Sequence, residues 1–348
     1  MLYNEKKIMF VNFRKSLAKK LFDKKVKSNI SLNMHKVNSI LFLRYDDKIG
    51  DMVVSTLLYR EIKKQYPKIK IYVLCGKHSK EIIKNNPYIH KIYIYNNNFL
   101  KDIFIYKQIR KENIDLVVDF IQFRLRPKQL FLLRMINPKF LVGFNKTIYN
   151  IYNLSITCDT YKKHISKRYE ILLNKLGIKE PLLNYDIFLD KNFEEISKNL
   201  FKDNKNIIIN PISASRHRSF SLSKLNDLIA NIHKMNVFKI FIICQKKYKH
   251  LFSNIKNTKC ICCSSILETA SFIKNCDIVI SPDTSIVHIC NAFNKKLVSL
   301  YLDYSNQEEK INIVWAPNYN NAIQLLSKTN DINSIDNLEI IKALKSLM

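Results

Sequence analysis

Glycine is almost missing from this chain of 348 residues: only Gly50, Gly76, Gly143 and Gly177 occur, none beyond residue 177. A glycine-rich phosphate loop in the second half is thereby excluded. Cysteine is sparse as well, and eight thiols cannot scaffold a chain this long. Cys75, Cys158, Cys244, Cys276 and Cys290 stand singly among apolar residues, as buried thiols usually do. Cys260, Cys262 and Cys263 cluster, but no CxxC pair or neighbouring histidine accompanies them, so no metal site is expected. No apolar run approaches the ~18 residues that suggest a membrane span, and no signal-peptide core opens the chain. The expectation is a reduced, cytosolic protein. Acidic residues are also few, 29 against 58 Lys and Arg, which leaves a net charge of +29. Such a surplus favours nucleic acid, anionic lipid or phosphorylated substrates. The basic residues are dispersed, and no RRM, helix-turn-helix or zinc-finger signature is present, which argues against nucleic acid.

What is present reads as a two-domain globular protein with a distinct leader. Residues 1–37 carry ten basic residues against Glu5 and Asp23, a net +8. Phe10, Phe13, Leu17, Leu21 and Phe22 recur at three- and four-residue steps, an apolar stripe on a basic helix. Such an arm can lie on a membrane surface or pack on its own protein. From Val37 onward, strands and helices alternate. Strands are expected at Ser39–Arg44, Lys70–Leu74, His90–Tyr95 and Asp115–Phe120, with helices at Asp51–Tyr66, Ser79–Asn85, Phe99–Lys111, Lys128–Ile136 and Ile165–Leu176. After a connector at 178–203 the pattern restarts. Strands Asn206–Asn210, Phe238–Cys244, Asp277–Ser281 and Leu297–Tyr301 alternate with helices Ser223–Met235, Ser265–Asn275 and Thr284–Phe293, and helix Asn337–Met348 follows. Repeated βα units imply parallel sheets with helices on both faces. The expected organisation is an arm (1–37), two Rossmann-like domains facing across a cleft (38–190 and 191–330), and a C-terminal helix (331–348). Ligands bind beyond the carboxyl ends of such strands.

Three segments stand at those ends. The first, RYDDKIGD at 44–51, joins a strand to a helix. Gly50 permits close backbone approach, and Asp51 is either a general base for a sugar hydroxyl or a plain N-cap. Asp46 and Asp47 lack a third ligand and diverge as neighbours in a loop, so they are not read as a metal pair. The second, NPISASRHRSF at 210–220, places hydroxyls and two guanidinium groups where a diphosphate could sit, or forms a solvated basic loop. The third, SPDTSIVH at 281–288, opens a helix with Thr284 and Ser285 beside its free N–H groups, an anion site or an ordinary cap. His288 lies one turn on. Asp283 would repel phosphate, which suits it to capping or to ligand hydroxyls.

Together the segments resemble the lipopolysaccharide heptosyltransferases, glycosyltransferase family nine. ILFLRYDDKIGDMVVSTLLYREIKKQYP is similar to the family's strand–(R/K)-x-x-x-x-G-D–helix opening, IIINPISASRHRSFSLSKLNDLI to its donor loop, and CDIVISPDTSIVHICNAFNKKLVSLY to its D-T-G-x-x-H segment. The likeness spans about residues 38–325. It implies a GT-B fold that holds an acceptor in the first domain and a nucleotide sugar in the second. The implied reaction is inverting transfer of heptose from ADP-heptose to a lipid-linked, phosphorylated oligosaccharide, the lipopolysaccharide inner core, without a metal or other cofactor. The implied setting is the cytoplasmic side of the inner membrane, with peripheral attachment to an anionic surface. Asp51 matches the family's base. Arg218 falls where the family has a lysine on the donor phosphates, and Ser213 near a phosphate-binding hydroxyl. Asp283, Thr284 and His288 match donor residues, with Ser285 in place of the usual glycine. Cys244-Gln245-Lys246 replaces the family's glycine and glutamate, and the loop Asp303–Asn320 has none of the usual glycines. The alternatives are another sugar nucleotide on the same fold, a non-catalytic scaffold, or a nucleic-acid-binding protein.

Overall fold

The computed structural model describes residues 2–24, 32–120, 125–158, 162–202, 205–304, 307–308 and 310–348, with side chains of the first helix from residue 12 onward. Phe10 therefore lies outside the described side chains.

The first half runs α1 (Leu2–Phe22), β1 (Ser39–Arg44), α2 (Ile49–Gln65), β2 (Lys70–Cys75), α3 (Lys77–Ile83), β3 (Lys91–Ile94), α4 (Phe99–Lys111), β4 (Leu116–Asp119), α5 (Pro127–Ile136), β5 (Phe140–Phe144), β6 (Leu154–Ile156) and α6 (Ser166–Lys175). The second runs α7 (Lys191–Leu200), β7 (Asn206–Ile209), α8 (Leu222–Lys234), β8 (Lys239–Gln245), α9 (Lys249–Phe252), β9 (Thr258–Cys263), α10 (Ile266–Asn275), β10 (Ile278–Pro282), α11 (Ser285–Ala292), β11 (Lys296–Tyr301), α12 (Ile311–Val314), β12 (Ala322–Leu326) and α13 (Asn337–Leu347). All strand pairings are parallel, in the orders β3-β2-β1-β4-β5-β6 and β12-β11-β10-β7-β8-β9. Each half thus has the Rossmann order, and the strand direction of travel reverses at β1/β4 in one and β7/β10 in the other. The central strands are buried throughout and apolar in their interiors because both of their faces are covered.

Side chains alternate between faces along each strand, and the core divides accordingly. Leu41, Leu43, Val117 and Leu141 pack under α4 and α5. Ile207, Ile209, Ile242 and Val298 pack under α8 and α13. Ile40, Phe42 and Val118 of the first sheet and Ile208, Val279 and Leu297 of the second belong to one continuous apolar cluster, bridged by α2 and α11. The halves are thus joined by a shared core. Buried Arg60 of α2 reinforces the junction by donating to the Leu182 carbonyl (2.7 Å), the Asn184 carbonyl (3.0 Å) and Asp186 (2.7 Å).

Scarce glycine is compensated by asparagine. Eight asparagines adopt left-handed φ values of 50–60° or just below, among them Asn137 (52°) after α5 and Asn294 (50°) after α11. Asparagine tolerates that region better than other residues with a Cβ. Gly177 (φ 82°) ends the turn after α6, where the Ile178 N–H reaches back to the Leu173 carbonyl at 2.9 Å.

The expected arm is a docked helix. Ala18 is buried, the Phe22 ring meets Phe131 of α5 edge-on at 5.2 Å, and Asp23 accepts the Ile151 N–H at 2.9 Å. Phe13, Leu17 and Leu21, on the adjacent stripe, point outward at 63, 44 and 49% exposure. The helix packs on its own protein through one stripe and leaves the other exposed.

Candidate active site

Arg44 ends β1 and carries its charge into the protein interior, 4% exposed. Its guanidinium grips Asp51 at 2.7 Å and Asp46 at 3.1 Å, donates to the Tyr169 hydroxyl at 3.3 Å and lies over the Phe120 ring. Burial works against the cation, but Tyr169 and the two carboxylates outweigh it, so Arg44 is held firmly charged. Asp46 is pushed up, by burial first and by neighbouring Asp51 after that, with Arg44 opposing. The N-cap of α2 is Lys48, and Asp51 occupies the third position of the helix. The capping alternative for Asp51 is thereby corrected: its carboxylate stands in the first turn, where the helix dipole favours it, and pairs with Arg44. Asp47 points elsewhere, accepting the Ser79 N–H at 2.8 Å and meeting His78 at 2.8 Å at the start of α3.

A cavity of about 820 Å³ opens beside this cluster at the carboxyl edge of the first sheet. Asp51, Arg44, Lys48, Lys77, Arg126 and Arg168 line it together with Tyr45, Tyr95 and Gln129, and Val314 and Trp315 reach in from the second half. Trp315 is held there because the Val314 carbonyl accepts the Ile165 N–H (2.9 Å) and the Ala316 carbonyl meets His164 Nε2 (3.1 Å). Arg126, Arg168 and Trp315 escaped the sequence reading. Each comes from a segment without a motif, and long-range folding alone brings them to the cavity. Arg44 did have a signal, since it opens the R-x-x-x-x-G-D pattern.

The two donor segments meet at the other switch point. Thr284 is the N-cap of α11, accepting the Ile286 N–H at 3.3 Å, and Asn210 Nδ2 donates to both Thr284 Oγ1 (3.3 Å) and Ser281 Oγ (3.0 Å). Asp283 does not cap the helix. It pairs with Arg218 at 3.0 Å, and burial pushes its carboxyl up while Arg218 pulls it down. Ser213 closes its own loop: its hydroxyl donates to the Ser215 carbonyl (3.0 Å) and its N–H goes to Ser219 Oγ (3.0 Å). Ser285 opens α11 and is half-buried. His288 is 3% exposed, between the rings of Tyr185 and Trp315, and burial lowers its imidazole to about 4.

The donor segments do not line the 820 Å³ cavity, yet they adjoin it. A Cβ on Gly50 would stand 3.0 Å from His288 Cδ2 and 3.6 Å from Ser285 Cα. The lack of a side chain at Gly50 therefore lets the first turns of α2 and α11 touch, bringing Asp51 close to the start of α11. A basic pocket, a carboxylate at its rim and an anion-suited helix start face one another across two Rossmann halves. That is the layout of a glycosyltransferase of GT-B architecture.

Comparisons with known proteins agree. The pattern of the family "Glycosyltransferase family 9 (heptosyltransferase)" matches residues 105–342. A protein of Escherichia coli (strain K12) provisionally named lipopolysaccharide heptosyltransferase 4 is 27% identical over 99% of this chain and 94% of its own length. Lipopolysaccharide heptosyltransferase 1 of Campylobacter coli is 25% identical over 73% of this chain and 81% of its own. Among solved structures, a family 9 glycosyltransferase from Veillonella parvula DSM 2008 superposes with a TM-score of 0.77 at 14% identity, covering 91% of this chain and 98% of that one. The E. coli ADP-heptose lps heptosyltransferase II does so with a TM-score of 0.71 at 14% identity, covering 89% and 98%. The chain belongs to glycosyltransferase family 9, the heptosyltransferases.

Proposed function

We propose that this heptosyltransferase moves heptose from ADP-heptose to the lipid-linked inner core of lipopolysaccharide, with inversion, and that Asp51 is the base. The observation that carries the reading is the contact of α2 with α11 at Gly50, which sets Asp51 between the basic cavity and the donor helix. Asp51 takes the proton of an acceptor hydroxyl as that oxygen attacks the anomeric carbon, and the bond to the diphosphate breaks on the opposite face. Arg44, paired with Asp51 at 2.7 Å, holds its carboxylate in orientation. The leaving diphosphate gains charge as the bond breaks, and Arg218, Ser213 and the opening turn of α11 at Thr284 and Ser285 are suited to stabilise it. Arg218 then exchanges its Asp283 partner for phosphate. Positive charge from these groups serves in place of a metal. Among the described residues, no trio of carboxylate or imidazole ligands stands at the cavity. Lys48, Lys77, Arg126 and Arg168 suit a phosphorylated acceptor. No nucleic acid enters this reading.

The acceptor is lipid-borne, and the reading includes attachment to the cytoplasmic face of the inner membrane. Among the described residues no helix is long and apolar enough to cross a membrane. Support for surface attachment comes from one face of the first half. Phe13, Leu17 and Leu21 of α1 and Phe99, Leu100 and Phe104 of α4 are exposed on either side of α5, where Phe131 touches both Phe22 and Phe99. Exposed Lys15, Lys20, Lys101 and Lys107 accompany them. Apolar residues framed by lysines suit an anionic lipid surface.

The test is transfer to a lipid-linked core acceptor from ADP-, UDP- and GDP-sugars in parallel, with wild type and Asp51→Asn. ADP-heptose should be the productive donor, and the variant should bind it while turnover falls about 10²–10⁴-fold. Near-normal turnover by a folded Asp51→Asn enzyme would refute the base assignment, and productive UDP or GDP donors would refute the donor.

A further inference from the structure

The thiols that meet in space are not quite those that sequence proximity groups: Cys244 takes the place of Cys263 beside Cys260 and Cys262. Cys263 turns to the opposite face of β9, into the core beneath α10, whereas Cys260 and Cys262 share a face with Cys244 of β8. Cys262 is the register partner of Cys244, and Cys260 is the partner of Ile242, one step back on the same face. The three sulfurs form a near-equilateral triangle, with Cys244–Cys260 at 3.5 Å, Cys244–Cys262 at 3.8 Å and Cys260–Cys262 at 3.9 Å. Thiolates bound 2.3 Å from one tetrahedral ion stand about 3.8 Å apart. The triangle already has the dimensions of a metal's sulfur face, and all three residues are free cysteines.

The geometry points to a structural site for a soft, thiophilic divalent cation, zinc foremost, held by Cys244, Cys260 and Cys262. Three thiols each release a proton to solvent as a sulfur–metal bond forms, and no electron is transferred. Cys260 and Cys262 are only half-buried, so the fourth coordination position opens toward solvent and takes water. Three thiolates around a dication leave one negative charge. Sulfur ligands select zinc over magnesium or calcium. None of the three cysteines lines the 820 Å³ cavity. Among the described residues β9 is the edge strand of the second sheet, attached only to β8. An ion bridging the two would fasten that edge just before Gln245 and Lys246, at the sheet's ligand-binding end.

The experiment uses the full chain, purified reduced and stripped of metal, then equilibrated with Zn²⁺ or with Co²⁺ as a spectroscopic probe. Expected are one zinc per chain, thiolate-to-cobalt charge-transfer absorption and a higher Tm with zinc. Cys260→Ser and Cys262→Ala should each weaken zinc binding by more than the ~10–100-fold that loss of a supporting partner costs. Cys263→Ser, on the other face, should retain it, and circular dichroism of the metal-free variants checks their fold. Reduced wild type that takes up no zinc, or equal uptake by wild type and both triad variants, would overturn the proposal. So would alkylation of fresh lysate revealing Cys244 joined to Cys260 or Cys262 as a disulfide, which would make the trio a redox pair.

Discussion

At the scale of single residues, the site depends on groups kept in fixed charge states by their surroundings. Arg44 stays charged because two carboxylates and a tyrosine surround it, and His288 stays neutral because it is buried between the rings of Tyr185 and Trp315. A neutral His288 has a measurable consequence. Its folded value of about 4 lies below the 6.5 of the free side chain, and burial together with His288 likewise lowers His164, to about 3. Between those values the unfolded chain binds protons that the folded chain refuses. Stability is therefore fully present above pH ~6.5 and declines as pH falls toward 4. At pH 5 the His288 share is about 2 kcal/mol. His288→Gln should flatten this acid limb by about that amount, read as the change in urea midpoint between pH 7.5 and pH 5. Equal pH slopes in the two proteins would show that His288 is not held neutral.

At the scale of elements, the contact between α2 and α11 converts two sheets into one site. Gly50→Ala tests it. Alanine is intrinsically better in a helix by ~0.8–1 kcal/mol. Here its Cβ would press on the His288 ring at 3.0 Å, and that ring is confined by Tyr185 and Trp315. The helices must separate by a few tenths of an ångström. Since a 1 Å misplacement can cost ~10²-fold in rate, about a tenfold loss of kcat is expected with Tm changed by only a few degrees. Unchanged kcat would mean that the contact does not position Asp51. The elements also mark how far the sequence could be read. β1, β2, β7, β8 and β10 were legible as short apolar runs beside helices with clear inward faces. β5 and β6 were not, because residues 121–160 offer little alternation to punctuate them. β9 hid behind its cysteines and half-buried edge pattern, β12 is only partly covered, and α7 fell inside what read as a connector. The G-D turn, the donor loop and the D-T segment were legible since each follows a strand locally. Trp315 and the thiol triangle were not, because distant segments build them.

At the scale of the whole molecule, the proposed membrane attachment draws on part of the +29 charge and on the exposed apolar stripe of α1. The inward stripe of α1 (Ala18 and Phe22) and the following Asp23 are structural, so deleting the segment would strip α5 and Ile151 of their partners and confuse anchoring with folding. The outward stripe separates the two. Phe13→Ser, Leu17→Ser and Leu21→Ser combined leave the docking contacts in place and should leave Tm nearly unchanged. Fully burying an apolar side chain is worth ~1.5–3 kcal/mol, and these three are already partly covered, so the triple variant should lose about 3 kcal/mol of lipid affinity, over 100-fold in vesicle binding. Neighbouring lysines contribute up to ~1 kcal/mol each at an anionic leaflet. That part should fade as the Debye length shrinks from ~10 Å at 0.1 M salt to ~3 Å at 1 M, while the apolar part persists. Wild type should therefore bind anionic vesicles strongly at low salt and measurably at high salt, and the variant weakly at low salt alone. Turnover on a detached, water-soluble acceptor should be the same for both, because the stripe stands away from the cavity. Equal vesicle binding by the two proteins would remove this face from the membrane and return the stripe to ordinary exposed surface.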